Sequence, residues 1–370
     1  MTKVKLGDYV SLQTHKVDNI TAVNTSYVST ENLQPNKNGV LFPAASVPSS
    51  GKVNFYDVGD ILVSNIRPYF KKIWMAINPG THSSDVLNFR TKSPKLTQEY
   101  LYIVLESDSF FDYVTLTSKG TKMPRGDKDA IMDFEFPLPS LDVQQKLSNT
   151  IMALERKILM SKQVNDNLFE LSKILFEAVL EDDRSELTNL ANLTDIQNGF
   201  AFKSREYIGF SDTPIVRTLN IGADNLFDMQ NLKYISDESR TKYQKFEFKT
   251  FDTALVMVGG SIGKTGFVTS RTNGGLQNQN MWRFRPLNSE MPGLYIYNLV
   301  TYANSQMQGY KTGSAREFYT KDAFKNFEVP VGNADIYKAF FAIQDLLDNN
   351  ASQTTTLTAM REEILTQVMA

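Results

Sequence analysis

The feature that most constrains this chain is an internal repeat. Residues 118–136 read SKGTKMPRGDKDAIMDFEF and precede a proline, and residues 311–329 read KTGSAREFYTKDAFKNFEV and also precede a proline. An offset of 193 residues aligns the glycine, the Lys-Asp-Ala and the Phe-Glu of the two segments without a gap. Self-similarity of this kind indicates that one structural unit was duplicated. We therefore expect two globular halves of related fold.

Further segments repeat in the same order along the chain. The offset of 193 also aligns the Leu-Tyr-Ile of residues 101–103 with that of residues 294–296. Nearer the start the offset shortens to 188, where Asn32 matches Asn220. Several matches in one order favour duplication over chance similarity.

Each half is followed by an apolar stripe with helical spacing. Apolar residues recur every three or four positions after Pro139 and again after residue 333, which predicts two long helices. The middle of each stripe is polar, and polar residues in a helix seam cost stability but can fix its register. We expect an antiparallel coiled coil, and the alternative is two separate helices, each docked on its own half. The stripes contain Leu147, Ile151, Leu154, Ile158, Leu168, Leu171, Leu175 and Val179, and Phe340, Ile343, Leu347, Leu357, Ile364 and Val368.

The predicted fold class is α+β, with two pseudo-repeated α/β domains separated by two long helices that form an antiparallel coiled coil. The expected boundaries are 1–140 for the first domain, 141–186 for the first helix, 187–332 for the second domain and 333–370 for the second helix. Apolar runs bounded by turn residues predict strands at 61–63, 88–90, 254–258 and 281–285. Helices are expected at 100–105 and 294–303.

Composition excludes several kinds of site. The chain has no cysteine, and its two histidines, His15 and His82, are far apart in sequence. Disulfides, zinc sites of the usual kind and a Ser/His/Asp triad are therefore not expected, and the lack of cysteine fits a cytoplasmic protein. No apolar run approaches the roughly 20 residues that span a bilayer, and the charged N-terminus is not typical of a signal peptide. We expect no metal, no cofactor and no membrane association.

Charge is distributed unevenly along the chain. The net charge is −2, but the two helical segments together hold 14 acidic and 8 basic residues. The remainder of the chain is consequently net basic. That balance permits contact with phosphate without requiring it.

Residues 259–265 read GGSIGKT and invite comparison with a phosphate-binding loop. The P-loop motif needs a glycine five positions before its Gly-Lys pair, and Val258 occupies that position. A nucleotide-dependent enzyme built on this loop is therefore an alternative that the spacing disfavours.

A polar and basic loop that follows an apolar strand in each half is the first candidate for contact with DNA. Basic side chains can bind phosphate or guanine, and an asparagine can make a paired contact to adenine. The alternative is an ordinary solvated hairpin. The candidate residues are Asn65, Arg67, Lys71, Lys72, Ser261, Lys264 and Thr265.

Glycine-containing loops at 119–125 and 312–316 are the second candidate. A glycine among small residues lets backbone N–H groups approach a phosphate. The alternative, compatible with the first, is a loop that caps the next helix through Asp129 or Asp322. The candidate residues are Lys119, Lys122, Arg125, Lys128, Ser314, Arg316 and Lys321.

Four consecutive amide side chains at residues 277–280 are the third candidate. Asn and Gln can bridge N6 and N7 of adenine, whereas the alternative is a polar turn before a strand. The matching region of the first half, residues 82–85, differs completely in sequence. The candidate residues are Asn278, Gln279 and Asn280.

The order of halves and helices, together with the stretch FEFPLPSLDVQQK at residues 134–146, resembles the specificity subunit of type I restriction–modification systems across essentially the whole chain. The second copy of this stretch, residues 327–331, keeps the register but lacks the second proline and the glutamine.

The resemblance implies a protein with no catalysis of its own that serves in defence against phage. Each half would bind one part of a split, asymmetric target in double-stranded DNA, with the spacer helices between them. The partners implied are two adenine methyltransferase subunits and two ATP-dependent translocase–nuclease subunits. A coiled-coil scaffold that binds proteins and has no role on DNA remains the other alternative.

Overall fold

The computed structural model describes residues 3–19, 22–309 and 320–369. The chain divides into two compact units. Unit 1 combines Met1–Arg156 with Thr358–Ala370, and unit 2 is Lys157–Leu357. Each unit therefore contains one globular half together with part of each long helix.

The strands of unit 1 are short, and its helices lie mainly after the strands. Its strands are β1 (Lys3–Lys5), β2 (Val10–Leu12), β3 (Lys16–Asp18), β4 (Tyr27–Val28), β5 (Lys52–Tyr56), β6 (Ile61–Ser64), β7 (Ile73–Met75), β8 (Gly80–His82), β9 (Val86–Thr91) and β10 (Glu135–Pro137). Its helices are α1 (Leu6–Tyr9), α2 (Gln98–Glu106), α3 (Asp108–Leu116) and α4 (Lys128–Met132), followed by the first long helix, α5 (Leu141–Glu181), which continues into unit 2.

Unit 2 repeats this order of elements. Its strands are β11 (Leu187–Asn189), β12 (Thr194–Asn198), β13 (Pro214–Val216), β14 (Lys233–Tyr234), β15 (Thr253–Val256), β16 (Thr265–Phe267), β17 (Leu276–Gln277), β18 (Met281–Pro286) and β19 (Glu328–Pro330). Its helices are α6 (Arg240–Tyr243), α7 (Gly293–Gly309) and α8 (Lys321–Lys325), followed by the second long helix, α9 (Ala334–Met369), which continues into unit 1.

The sheets of the two units share one topology. Unit 1 has a four-stranded sheet in the order β2-β9-β6-β7, and unit 2 has the corresponding order β12-β18-β15-β16. A parallel pair, β4 with β8 in unit 1 and β13 with β17 in unit 2, belongs to a second sheet in each. The first strand of each unit pairs with the strand that precedes a long helix, β1 with β10 and β11 with β19. The duplication inferred from sequence is thus a duplication of fold.

The secondary structure and the fold class predicted from sequence are confirmed. The four predicted strands correspond to β6, β9, β15 and β18, and the two predicted helices to α2 and α7. In β6 all four side chains are buried, because this central strand is covered on both faces. Capping fixes where helices begin: the Thr97 hydroxyl accepts a hydrogen bond from Tyr100 N at 3.2 Å at the start of α2.

The alignment of α2 with α7 at an offset of 193 is wrong. Tyr100 donates its hydroxyl to Pro137 O at 3.0 Å, and Tyr295 donates to Pro330 O at 3.0 Å, so these two tyrosines occupy equivalent positions. The structural offset in this region is therefore 195, and Tyr102 is not the counterpart of Tyr295. Burial raises the pKa of Tyr100 to about 12, as expected for a hydroxyl enclosed in the core.

The long helices run antiparallel, as their contacts in each unit show. In unit 2, Asn350 Nδ2 donates to Ser161 O at 2.6 Å and to Asn165 Oδ1 at 2.9 Å. In unit 1, Arg361 Nε donates to Glu155 Oε1 at 3.1 Å. A later residue of α9 thus contacts an earlier residue of α5, as antiparallel helices require. The polar residues in the middle of one stripe therefore bond to those in the middle of the other.

The stripe residues differ in burial. Ile151, Phe340, Ile343, Leu347 and Val368 are buried, as is Val179. Half-buried positions are Leu147, Leu154, Ile158, Leu168, Leu175, Leu357 and Ile364. Leu171 was wrongly placed in the stripe, since its side chain is 44% exposed while Phe169 and Phe176 face the core instead.

The glutamine of the stretch at residues 134–146 fastens the start of α5. Gln144 is fully buried, and its Oε1 accepts from Thr97 N at 2.9 Å. Its Nε2 donates to Lys95 O at 2.8 Å and to Pro139 O at 2.9 Å. Within the described ranges, none of the helices is both long and apolar enough to cross a membrane.

Candidate nucleic-acid interface

The first candidate segment is the same hairpin loop in both units. It joins β6 to β7 in unit 1 and β15 to β16 in unit 2, with the same number of residues. Ser64 N donates to Lys72 O at 3.1 Å, and Val256 N donates to Lys264 O at 2.9 Å, which closes the two loops at matching positions. We call these loops the unit 1 hairpin (65–72) and the unit 2 hairpin (257–264).

The unit 1 hairpin and the second candidate segment of that unit lie side by side. Ile66 forms an antiparallel bridge with Arg125, and Arg67 N donates to Pro124 O at 2.8 Å. Gly126 completes the contact, since a Cβ on it would lie 2.7 Å from Asn65 Oδ1. Two segments far apart in sequence therefore form one basic surface, which we call the unit 1 surface.

The region that differs between the halves also joins these hairpins. Asn65 N donates to Asp85 O at 2.8 Å in unit 1, and Met257 N donates to Asn280 O at 3.1 Å in unit 2. These bonds make Asp85 and Asn280 structural counterparts. Residues 82–85 and the amide run at 277–280 therefore occupy equivalent positions in the two units but carry different side chains.

Acidic neighbours neutralise several cations of the unit 1 surface. Lys119 pairs with Asp127, Arg125 Nη2 lies 3.1 Å from Asp85 Oδ1, and Lys71 Nζ lies 2.8 Å from Asp108 Oδ1. Lys72 donates to the carbonyl of Thr30, and burial lowers its pKa. These four cations contribute less to the surface than the sequence suggests.

Three cations of the unit 1 surface are exposed and unpaired. Arg67, Lys122 and Lys128 make no side-chain hydrogen bond or ion pair with any residue in the described ranges. Beside Arg67 the rings of Tyr69 and Phe70 are 48% and 39% exposed, with centroids 4.7 Å apart. The sequence analysis did not single out these rings, although exposed aromatic rings among basic residues are typical of surfaces on which unpaired bases stack.

The amide oxygen of Asn65 is enclosed by the protein. Its Oδ1 is buried against Gly126 and has no hydrogen-bond partner in the part of the chain that the structure describes. A buried oxygen cannot reach a base edge without a change in conformation.

The loops before α4 and α8 do cap these helices, but through other residues than expected. Asp127 Oδ1 accepts from Asp129 N at 3.0 Å at the start of α4. Thr320 Oγ1 accepts from Ala323 N at 3.2 Å at the start of α8. The capping residues are thus Asp127 and Thr320 rather than Asp129 and Asp322.

The unit 2 hairpin differs in chemistry. Ser261 is exposed, whereas Lys264 donates to the carbonyl of Ile221. Thr265 is 7% exposed, and its hydroxyl lies 3.3 Å from the hydroxyl of Tyr297, so it is turned away from the surface. A P-loop leads from a strand into a helix, whereas this loop leads into strand β16, so the nucleotide-binding alternative is wrong.

The amide run lies partly inside unit 2. Asn278 is 8% exposed, and its Oδ1 accepts from Asn280 N at 3.3 Å, which stabilises the turn. Gln279 is exposed and Asn280 is half-buried. Asn278 therefore builds a polar turn, whereas the side chains of Gln279 and Asn280 remain accessible.

The remaining candidates lie at the edge of the described region or beyond it. Ser314 and Arg316 lie outside the described residues. Lys321 is the first residue of α8, and burial lowers its pKa. Within the described ranges no group of three or more His, Asp or Glu side chains could hold a metal ion.

Comparison with known proteins shows which family the sequence matches. Residues 2–169 and 183–362 match the family described as the type I restriction modification DNA specificity domain. The chain is 22% identical over 294 residues to the MjaVIII specificity subunit of a type I restriction enzyme from Methanocaldococcus jannaschii, covering 73% of this chain and 68% of that protein. It is 26% identical over 141 residues to the EcoDI specificity subunit of Escherichia coli, covering 38% of this chain and 31% of that protein.

A solved structure shares the fold over the full length. The S subunit of a type I restriction–modification system from M. genitalium superposes with a TM-score of 0.61 at 14% identity, covering 100% of this chain and 96% of that one. The two family matches correspond to the two halves that the repeat predicts.

Proposed function

This chain belongs to the family of type I restriction modification DNA specificity proteins, and we propose that it recognises a split, asymmetric target in double-stranded DNA. As a member of that family it is a recognition subunit and not an enzyme. Unit 1 would contact one half of the target and unit 2 the other half. The chain would act in the cytoplasm, together with the DNA that it reads.

The observation that carries the proposal is the repeated hairpin with unlike side chains. Both units place the same loop between the corresponding pair of strands, next to a region whose sequence differs between the halves. A duplicated scaffold with different contact residues is what two different half-sites require, because sequence is read by side chains at base edges. Exposed Arg67, Lys122 and Lys128 in unit 1, and Gln279, Asn280 and Ser261 in unit 2, are the accessible groups that support such contacts.

We propose further that the chain assembles with adenine methyltransferase subunits and with ATP-dependent restriction subunits, two of each. The support is membership of the family, whose relatives include subunits of type I restriction enzymes. Recognition alone gives a chain without catalytic residues no effect on DNA, so a partner that modifies or cleaves is needed.

Methylome sequencing of the host with and without this chain tests the proposal. A split adenine motif that is methylated only when the chain is present is the expected result. Exchange of unit 1 with that of a relative should then change one part of the motif and leave the other intact. The exchange should cover 1–156 together with 358–370, because Leu365 and Val368 belong to the core of unit 1. An unchanged methylome on deletion of the chain would reject the proposal.

A further inference from the structure

The two hairpins hold the same unusual backbone conformation with different residues. Arg67 and Lys71 in unit 1 have φ of 51° and 51°. Their positional counterparts in unit 2 are Gly259 and Gly263, with φ of 94° and 86°. The left-handed region is open to glycine but disfavours residues with a Cβ. Unit 2 therefore uses the residue that the backbone prefers, and unit 1 does not.

An ion pair within the protein explains why a lysine, rather than a glycine, occupies position 71. Its Nζ pairs with Asp108 Oδ1 at 2.8 Å, which ties the hairpin to α3. Arg67 has no such contact. It is exposed and makes no ion pair or side-chain hydrogen bond in the described ranges, so no side-chain contact inside unit 1 accounts for an arginine at this position.

The hairpin nevertheless holds Arg67 in place through its main chain. Arg67 N donates to Pro124 O at 2.8 Å, and Arg67 O accepts from Phe70 N at 3.0 Å. A further bond from Lys71 N to Pro68 O at 2.8 Å closes the turn. The main chain that carries the guanidinium is thus fixed before a ligand binds, which lowers the entropy cost of ordering the loop. Strained residues of this kind concentrate at functional sites.

We propose, resting on the function proposed above, that Arg67 reads a guanine in the half-site contacted by unit 1. The guanidinium can donate two parallel hydrogen bonds to guanine O6 and N7, a contact that specifies the base as well as binding it. Phosphate contact falls instead to the unpaired cations Lys122 and Lys128, which need no fixed geometry. Asp85 and Asp127 lie on the same surface, but Arg125 and Lys119 already neutralise them.

The unit 2 hairpin reads its half-site by a different chemistry. A Cβ on Gly259 or Gly260 would meet nothing within 4 Å, so neither glycine is required by packing inside the protein. Without a basic side chain at this position, the polar groups that the exposed part of the loop offers are its backbone and Ser261. The same hairpin thus presents an arginine side chain to DNA in unit 1 and mainly backbone groups in unit 2.

Substitution Arg67→Gly tests the proposal, because glycine suits the left-handed position and keeps the fold. Wild-type and variant chains are expressed with the methyltransferase subunits of the host, and the genomic methylome is sequenced. We expect Arg67→Gly to lose discrimination at one base pair in one half of the motif, by roughly tenfold to a hundredfold in methylation preference. Arg67→Lys should lose it as well, because lysine keeps the charge but not the planar fork.

Lys37→Gly is the matched control. Lys37 is also left-handed, with φ of 62°, but its Nζ pairs with Asp108 inside unit 1 at 2.9 Å. This variant, checked for folding by its melting temperature, should keep the wild-type motif. An unchanged motif and methylation level in Arg67→Gly would overturn the inference, as would a uniform loss at every position, which places Arg67 on phosphate. A wild-type chain that directs no split motif would instead overturn the proposed function.

Discussion

Arg285 holds the buried carboxylate of Asp252 with two hydrogen bonds, Nε to Oδ1 at 2.7 Å and Nη2 to Oδ2 at 2.6 Å. Arg90 holds Asp60 in unit 1 in the same way, at 2.6 and 2.8 Å. Each pair ties the turn before a central strand, β15 or β6, to the neighbouring strand, β18 or β9. The duplication thus preserved an arginine contact to a buried carboxylate as well as a topology.

Replacing Arg285 with methionine should destabilise unit 2. Asp252 is 1% exposed, and the variant removes both of its hydrogen bonds to Arg285. Lys249 N at 2.7 Å and Arg283 Nε at 3.9 Å remain beside the carboxylate, so the cost should be about 1–3 kcal/mol. Burial raises the pKa of Asp252, and Arg285 opposes that rise. The loss should consequently shrink at acid pH, where the carboxyl can be protonated. Urea unfolding at several pH values measures the change.

Arg184→Met is the control for the ion pair of unit 2. Arg184 forms a similar two-bond contact with Asp182, but on the surface and within one turn of chain. Exposed pairs contribute little because water screens them. Equal destabilisation by the two substitutions would contradict the role assigned to burial.

The carboxyl of Glu106 should make the stability of unit 1 depend on pH. Glu106 is fully buried and pairs with Arg361, while its Oε2 has no partner in the described part of the chain. Burial, and then the charge of Glu155, raise the pKa of Glu106 above its ordinary value of 4.5, although Arg361 acts against them. A raised pKa in the native state means that this group stabilises the fold below pH 4.5 and that the contribution is lost as the pH rises.

Glu106→Gln removes that titration. The free energy of unfolding of the variant, relative to wild type, should therefore increase as the pH is raised above 4.5. Chemical denaturation at a series of pH values provides the comparison. A curve for Glu106→Gln that runs parallel to that of wild type would show that Glu106 is not the titrating group.

Asn165 and Asn350 should be energetically coupled within unit 2. Asn165 is 3% exposed and accepts a hydrogen bond from Asn350 Nδ2 at 2.9 Å. Asn350→Leu alone leaves a buried amide without this partner and should cost about 1–3 kcal/mol. The double variant Asn165→Leu with Asn350→Leu should recover most of that loss, because two apolar residues can replace a buried polar pair. A double-mutant cycle measured by urea unfolding tests this, and additive losses would argue against coupling.

The unpaired lysines of the unit 1 surface should govern the salt dependence of DNA binding. Lys122→Gln and Lys128→Gln should each lower the slope of log K against log salt by about 0.9, since each lysine would release one counterion from phosphate. Binding of the complex with its methyltransferase subunits to a duplex that carries the target is measured from low to high salt. Lys146→Gln, which removes a lysine paired with Asp142 on α5, should leave the slope unchanged. Equal slopes for all three variants would show that these two lysines do not bind phosphate.

Local sequence patterns predicted most of the fold but little of the candidate site. The strands and α2, α7 were predictable because periodicity and turn residues act over a few positions. The pairing of Tyr102 with Tyr295 failed, because sequence identity aligned them while the hydrogen bonds to Pro137 and Pro330 make Tyr100 the counterpart. Insertions in one half relative to the other shift the alignment locally, and identical residues alone cannot show where the shift occurs.

The sequence by itself determined that the chain is duplicated, that each copy mixes strands with helices, and that a long helix follows each copy. Only the tertiary structure decided which charges remain available to a ligand. Lys71 and Lys119 are neutralised by Asp108 and Asp127, whereas Arg67 is left free on a left-handed turn. The physical reason is that ion pairs, burial and loop closure depend on contacts between residues distant along the chain, and such contacts leave no periodic trace in the sequence.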